Sequence, residues 1–412
     1  MKFLRNFSRI ILGLVFVFSG FVKAIDPLGS SYKFGDYFEA FNMAFLDKIT
    51  IPLALLLSSI EFIIGFCLLL KLRMRLFSRL VTIFMFFFLF LTLYIAIKNP
   101  VSDCGCFGDA LILTNWQTFY KNLILIVFVA IVYISRNKFE PSYSNTTEWG
   151  ITIAGLLLII GISIHCIKHL PIIDFRPYNI GTYIPEKMII PEDAPPPVYK
   201  TYLYYEKDGK VEEFIDPDYP WDDSTWTYVD TKSEMIDEGY IPPIHDFSIT
   251  SPNGEDITDM VLNDANYSLL LISHDLEKVN KEALLKFKYL YEQLSNEPFA
   301  FYCMTSSLTE YSDKLTAELN LPYNFFATDE ITLKTIVRSN PGLVLLKRGV
   351  IIGKWHYNDF PCVETFKSNA QGKIIEGYKK DIEGLKVINL ILYVILILSL
   401  FKLFRQYIMQ RK

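Results

Sequence analysis

Residues Phe77 to Ile97 read FSRLVTIFMFFFLFLTLYIAI, a run of 21 residues with a single charged side chain, Arg79. An α-helix rises about 1.5 Å per residue, so a run of this length covers roughly the 30 Å hydrocarbon core of a bilayer. The run therefore predicts a transmembrane helix.

Other apolar stretches of similar length bring the predicted crossings to six. These stretches occupy residues 7–25, 51–70, 119–135, 149–170 and 385–404. The first is predicted to be retained, because Lys23 to Asp26 offer no small-residue cleavage site. A composition of 51% hydrophobic residues makes the lipid bilayer a required partner. The net charge of -5, without a basic block, indicates no nucleic-acid partner.

The basic residues near the ends of the spans predict the orientation. Those assigned to the cytoplasm are Lys2, Arg5, Arg9, Lys71, Arg73, Arg75, Arg79, Arg136, Lys138, Lys402, Arg405, Arg411 and Lys412. The short loops on the opposite side hold Lys23, Lys33, Lys48, Lys98 and Lys121. Because positive charge is retained in the cytoplasm, both termini are predicted there. We expect a bacterial-type inner membrane, with the loop after the third span and residues 171–384 in the oxidising periplasm.

Residues 171–241 form a predicted linker and small β-rich subdomain. A proline-rich stretch at Ala194–Pro197 precedes two strands, Tyr199–Tyr205 and Val211–Ile215, which flank Asp208-Gly209. This pattern predicts a β-hairpin. It indicates no function.

Residues 242–370 alternate between strand and helix patterns, which predicts an α/β sheet. The predicted strands are Ile244–Ile249, Ser268–Ser273, Phe299–Met304, Leu343–Lys347 and Val350–His356, and the predicted helices are Glu277–Leu294, Thr309–Leu319 and a short one near Ile331–Arg338. The order, with Pro341 just before a closing hairpin, resembles the thioredoxin-like fold over about 244–360. That resemblance implies a cis Pro341.

The thioredoxin dithiol is missing from this domain. Where that fold carries Cys-x-x-Cys, this sequence has Ser273-His274-Asp275-Leu276-Glu277. Cys303 and Cys362 are expected at the same sheet edge but too far apart for a disulfide, so both are interpreted as small buried hydrophobic residues.

The segment with the most reactive side chains lies between the third and fourth spans and reads Asp103-Cys104-Gly105-Cys106-Phe107-Gly108-Asp109. Two thiols one residue apart can close a small ring, which Gly105 allows and which should be strained. A strained disulfide passes its oxidation to other thiols, so the pair is a candidate catalytic site. The alternatives are a permanent structural bridge, a bond to Cys166, or a metal site, which the few ligands make the weakest of the three.

The first four spans resemble the DoxX and MauE group of four-helix membrane proteins over roughly 1–136. The motifs that carry the resemblance are Arg9, Gly13, Phe18-Ser19-Gly20, Lys23, Glu61 and Cys104–Asp109. The resemblance implies a bundle laid out like vitamin K epoxide reductase, with a quinone as an implied electron acceptor. It also implies an accessory role in disulfide formation.

Three further residues are candidates near this site. Cys166 is predicted near the outer end of the fifth span (residues 137–170) as a resolving thiol, whereas Cys67 is expected only to pack. Glu61, with Lys23 as partner, is predicted to be either an intramembrane polar site or a protonated carboxyl bonded to Ser19. No metal site is predicted.

The sequence thus predicts a mixed fold class: a polytopic α-helical membrane bundle of about six spans plus a soluble thioredoxin-like α/β domain. The hypothesis is a membrane thiol-disulfide oxidoreductase that acts through Cys104 and Cys106, with the periplasmic domain docking thiol-containing protein partners. The alternative is a non-enzymatic scaffold or assembly factor. Solute transport is a weaker third hypothesis.

Overall fold

A computed structural model describes residues 2–237 and 239–367. Within these residues, five helices are long and apolar enough to cross a membrane, and they match the first five predicted spans. The helices of this part are α1 (Lys2–Ile25), α2 (Pro27–Ala40), α3 (Thr50–Leu70), α4 (Met74–Lys98), α5 (Asn115–Ile134) and α6 (Asn145–Lys168). The sixth predicted span, residues 385–404, lies outside the described residues, as do residues 368–370 of the predicted soluble domain.

Helix α2 was not predicted from the sequence. It begins behind Asp26, whose Oδ1 accepts a hydrogen bond from the Gly29 backbone N–H at 2.9 Å, and Pro27 occupies its first turn. The helix is short and only weakly amphipathic, so the apolar periodicity that reveals the other helices is faint here. It packs mainly against α3.

The closest helix pair of the bundle is α1 and α3. Gly20 and Gly65 permit this approach, because a Cβ at Gly20 would lie 2.3 Å from the Phe62 nitrogen and a Cβ at Gly65 would lie 2.4 Å from the Val17 nitrogen. Small residues at a helix crossing let two backbones meet in this way. The close crossing allows a side chain of α1 to pair with one of α3.

A three-stranded sheet follows the membrane helices. Its strands are β1 (Val198–Lys207), β2 (Lys210–Ile215) and β3 (Thr227–Asp237), in the order β2-β1-β3. The predicted hairpin is confirmed, with Lys207 opposite Lys210 and positive φ at Asp208 and Gly209. The third strand was not predicted.

The remaining described residues form the predicted thioredoxin-like fold. Its elements are α7 (Ile184–Met188), α8 (Thr258–Leu262), β4 (Tyr267–Ser273), α9 (Lys281–Leu294), β5 (Phe299–Thr305), α10 (Thr309–Leu319), β6 (Phe325–Ala327), α11 (Glu330–Ile336), β7 (Gly342–Lys347), β8 (Val350–His356) and α12 (Val363–Lys367). The sheet order is β6-β5-β4-β7-β8, with β4 parallel to β5 and antiparallel to β7. The Asn340–Pro341 peptide bond is cis, as predicted.

Two secondary-structure predictions need correction. The segment Ile244–Ile249 is not a strand: the Ile249 N–H donates to the Thr258 hydroxyl at 2.8 Å instead of to a neighbouring strand. Its apolar side chains are nevertheless buried in the core, which explains the strand-like pattern. Helix α9 begins at Lys281 and not at Glu277, because the Asn280 side chain caps it by accepting from the Ala283 N–H at 3.0 Å.

The interpretation of the two distant cysteines is half right. Cys303 is fully buried in the core of the soluble domain, as expected. Cys362 is exposed, because it lies in the turn between β8 and α12, so the prediction that it is buried was wrong.

The soluble domain meets the bundle at the end that carries the loop between α4 and α5. Arg338, which follows α11, forms ion pairs with Asp26 and with Asp109 of that loop. At the end of α6, Asn358 Nδ2 donates to the Lys168 carbonyl at 2.7 Å. The cysteine pair and the soluble domain therefore lie at the same end of the bundle.

Candidate functional site

The loop between α4 and α5 brings the two predicted thiols together. Cys104 Sγ and Cys106 Sγ are 3.0 Å apart. Gly105, with φ of 64°, supplies the left-handed turn, and its N–H donates to Asp103 Oδ1 at 2.8 Å. Lys33 of α2 holds the other Asp103 oxygen at 2.7 Å. The sulfurs are thus positioned to form or break a bond with each other.

Polar side chains of α1 and α2 form hydrogen bonds with the backbone of the loop. Lys23 Nζ donates to the Cys106 carbonyl, and Ser19 Oγ lies 2.7 Å from the same oxygen. From α2, the Tyr37 hydroxyl donates to the Cys104 carbonyl at 3.1 Å. Both carbonyls of the pair are therefore fixed, which leaves the sulfurs as the movable atoms.

The predicted pair Lys23 and Glu61 is present. Lys23 Nζ and Glu61 Oε2 are 2.8 Å apart, and each residue is 5% exposed. Ser19 Oγ also lies 2.8 Å from Glu61 Oε2, so both predicted partners of the carboxyl are in contact with it. A buried charge needs a partner of this kind. The pair links the membrane interior to the cysteine loop.

The two thiols differ in acidity. A hydrogen bond from the Cys104 thiol, helped by the positive charges of Lys121 and Lys23, lowers the pKa of Cys106 to about 6. The same hydrogen bond, together with burial, raises the pKa of Cys104. At neutral pH this arrangement favours a Cys106 thiolate that accepts the Cys104 proton in a hydrogen bond. The thiolate is the nucleophilic form of cysteine.

A cavity of about 630 Å³ extends from the pair into the bundle. Its polar end holds Lys23, Glu61 and Lys121, and most of the rest is apolar. Several apolar lining residues are also exposed on the outer face of the bundle, so the cavity is open towards lipid; they are Leu56, Ile60, Ile83 and Phe87.

The structure does not bring Cys166 to the pair. Cys166 is 1% exposed within α6 and does not line the cavity. Its proposed resolving role stays a prediction that no contact supports in the part of the chain described. Cys67 is buried in α3 with its sulfur 3.5 Å from the Thr152 hydroxyl, in keeping with a packing role.

The place of the missing thioredoxin dithiol is occupied by polar contacts. Ser273 Oγ donates to Asn340 Oδ1 at 2.8 Å, and Asn340 Nδ2 donates to the Asp275 carbonyl at 2.7 Å. The His274 ring lies against Tyr32 of α2, and burial lowers the pKa of His274 to about 4. This sheet edge therefore contacts the bundle. No cluster that could hold a metal ion occurs among residues 2–237 and 239–367.

Sequence reasoning missed several residues of the site. Tyr37 was overlooked because α2 was not predicted. Lys33 and Lys121 were noticed only as markers of orientation, although both approach the cysteine loop. Asp26, Asp109 and Arg338 interact across more than 200 positions of sequence, which no local pattern signals.

Family models match two parts of the chain. Residues 1–135, which form the membrane bundle up to α5, match the family model described as methylamine utilisation protein MauE. Residues 199–238 match a domain of unknown function, DUF8463. No curated protein matches the sequence.

Two solved structures are similar to part of the chain. One is the thioredoxin domain of a thiol-disulfide oxidoreductase from Bacteroides vulgatus, with 13% identity, 29% of this chain and 90% of that chain covered, and a TM-score of 0.25. The other is a candidate protein disulfide isomerase from Bacteroides thetaiotaomicron, with 18% identity, 31% and 82% covered, and a TM-score of 0.24.

Proposed function

Starting from a MauE-family membrane domain at residues 1–135, we propose that this protein is a membrane thiol-disulfide oxidoreductase whose reactive pair is Cys104 and Cys106. The observation that carries the proposal is the pair itself. Its sulfurs are 3.0 Å apart, and its loop is fixed by the buried Lys23, which is paired with Glu61. The unequal acidity of the two thiols supports it further.

The exchange transfers two electrons. When the pair is oxidised, a thiolate of a client protein attacks one sulfur, so that the Cys104–Cys106 bond breaks and a mixed disulfide forms. A second client thiolate then attacks the client sulfur of that mixed disulfide. The client departs with a disulfide, and Cys104 and Cys106, after taking up one proton, remain as a thiol and a thiolate. Cys106 is the better leaving group, because its pKa is the lower one.

The cavity supports a quinone as the acceptor that reoxidises the pair. An isoprenoid quinone takes up two electrons and two protons and dissolves in lipid, and the apolar, lipid-facing lining fits such a molecule. Lys23 and Lys121 at the polar end could donate hydrogen bonds to its carbonyl oxygen. Glu61 is the nearby carboxyl that could exchange protons there.

We propose the inner membrane of a bacterium as the site of action, with both termini cytoplasmic and the pair in the periplasm. The distribution of basic residues supports this orientation. The contacts of Arg338 put the soluble domain and the pair at one end of the bundle, as the proposal requires.

Thiol trapping tests the proposal. In Cys106→Ser the remaining Cys104 cannot be released by its neighbour, so we expect mixed disulfides with client proteins on Cys104, detected by non-reducing electrophoresis and mass spectrometry. Cys104→Ser/Cys106→Ser should lower disulfide exchange with a model dithiol peptide by about 100-fold or more. The matched control is Cys67→Ser, because Cys67 is a buried bundle cysteine far along α3 from the loop. Undiminished exchange in the double variant would contradict the proposal.

A scaffold without catalysis is the second candidate. The absence of the Cys-x-x-Cys dithiol and the contact of that edge with α2 favour it. Client docking by the soluble domain stays a prediction, and it would need another surface of that domain. The same assay separates the two candidates, because a scaffold would form no mixed disulfides and would retain its protein partners in Cys104→Ser/Cys106→Ser.

A further inference from the structure

Arg338 reaches from the soluble domain into the membrane bundle. Its Nε lies 3.0 Å from both carboxylate oxygens of Asp26, and its Nη2 lies 2.9 Å from Asp26 Oδ2 and 2.9 Å from Asp109 Oδ2. Nη1 donates to the Lys334 carbonyl at 2.6 Å. All three guanidinium nitrogens are used, and the residue is 5% exposed. A lysine, with one nitrogen, cannot reproduce these contacts.

The two carboxylates belong to the segments that hold the cysteine loop. Asp26 caps α2, the helix from which Lys33 and Tyr37 reach the loop. Asp109 lies three residues after Cys106. One guanidinium therefore joins the start of α2 to the end of the loop.

Removing Arg338 would leave two carboxylates side by side. Both Asp26 and Asp109 approach the same nitrogen, so without it their charges would repel each other in a partly buried place. Among the described residues, the Asp109–Arg338 contact is the only ion pair between the loop after Cys106 and the soluble domain, and it would be lost. Because the loop is short, movement of Asp109 also moves Cys106.

We propose that the soluble domain is a fixed positioning part of the cysteine site, in which Arg338 holds the loop of Cys104 and Cys106 through Asp26 and Asp109. The domain that lacks a dithiol of its own thus supports the dithiol of the bundle. The effect on thiol chemistry rests on the proposed function, whereas the positioning of the loop does not.

Two glycines of α2 provide a matched test that alters no charge. A Cβ at Gly29 would lie 2.4 Å from Asp26 Oδ2 and 2.7 Å from Arg338 Nη2, whereas a Cβ at Gly35 would meet no atom within 4 Å. Both replacements by alanine favour helix formation. Gly29→Ala should therefore disturb the Arg338 contacts, and Gly35→Ala should not. Arg338→Lys is the third variant. It keeps the positive charge but cannot make the contacts of the three guanidinium nitrogens.

The experiment compares these full-length variants, purified in detergent and reduced, by two measurements. Hydrogen exchange of the peptide over residues 103–109 reports how often the loop opens, and so how firmly it is held. It should become at least about fivefold faster in Gly29→Ala and Arg338→Lys, and stay unchanged in Gly35→Ala. The pH profile of Cys106 alkylation, followed by mass spectrometry, should shift its midpoint upward by about one unit in the same two variants.

The outcomes separate the two proposals. Unchanged hydrogen exchange in both Arg338→Lys and Gly29→Ala would overturn the positioning role, whatever the thiols do, and Gly29→Ala alone decides the matter if Arg338→Lys does not fold. Faster hydrogen exchange of the loop, in variants of a protein that forms no mixed disulfides, would support the positioning role of Arg338 and contradict the oxidoreductase function.

Discussion

The loop of Cys104 and Cys106 and the turn from Ser273 to Glu277 both contact α2, but they differ in what they retain. The loop has two thiols, a left-handed Gly105 and buried charges beneath it. The turn has the backbone arrangement of a thioredoxin site, with the cis Asn340–Pro341 bond beside the end of β4, but it has no thiol. The same fold can thus be present without its reactive groups, because function depends on the site and not on the fold.

The largest effect should come from breaking buried ion pairs, one in each region. Lys23→Met leaves Glu61 buried without its cation and should cost about 3–5 kcal/mol of stability, measured by denaturant unfolding in detergent. Lys354→Met in the soluble domain removes one of the two cations that pair with Asp174, 2.6 Å away, and should cost less, about 1.5–3 kcal/mol, because Arg176 still contacts that carboxylate at 2.7 Å.

The two variants should differ in thiol chemistry. Lys23→Met should also slow Cys106 alkylation at pH 7, because Lys23 contacts the Cys106 carbonyl and contributes to its acidity. Lys354→Met should leave that rate unchanged. The double variant Lys23→Met/Glu61→Leu, which removes both charges, should recover most of the lost stability. Equal alkylation rates in Lys23→Met and Lys354→Met would show that the buried pair does not support the loop.

The two regions also differ in how far the sequence could predict them. The five described spans and strands β4, β5, β7 and β8 have local patterns of length and periodicity, so they were found. The cysteine pair and the partnership of Lys23 with Glu61 were predicted from a short motif and from the cost of an intramembrane charge. Helix α2 has no strong apolar stripe and was missed.

Long-range contacts set the limit of sequence reasoning. Arg338 contacts Asp26 across 312 positions and Asp109 across 229, and no local pattern of the sequence indicates either contact. The cavity is likewise formed by side chains from several helices whose mutual packing no single segment determines. Such features depend on the tertiary arrangement, which brings together residues that lie far apart in the sequence.

A smaller effect, about tenfold, should appear in the pH dependence of alkylation. Because the pKa of Cys106 is about 6, its thiolate fraction rises from about one tenth at pH 5 to about nine tenths at pH 7, and the alkylation rate should rise in proportion and then level off. The rate is followed by mass spectrometry of the reduced protein.

A cysteine of the soluble domain provides the control for this measurement. Cys303 is fully buried, and burial raises the pKa of its thiol, so it should stay unlabelled throughout. A Cys106 rate that keeps rising between pH 7 and pH 9 would show an ordinary thiol and contradict the assigned acidity.

The smallest effect should follow from restoring a dithiol to the soluble domain. His274→Cys/Glu277→Cys, placed in a Cys104→Ser/Cys106→Ser background, recreates the Cys-x-x-Cys spacing at the end of β4. We expect disulfide exchange to stay within about twofold of that background. The new thiols would precede α9, which begins only at Lys281, so no helix N-terminus would stabilise a thiolate.

The contact with α2 adds a second reason. A thiol at position 274 would lie where His274 now packs against Tyr32, and the burial that lowers the pKa of the histidine would raise the pKa of a thiol. Exchange is measured with the same dithiol peptide, and a thermal melt checks that the variant is folded. Exchange near the wild-type rate would mean that this edge lacks only its sulfurs. Disulfide exchange at background would show that the edge also lacks the access and the electrostatics of a reactive dithiol site, as expected of an edge that packs against α2.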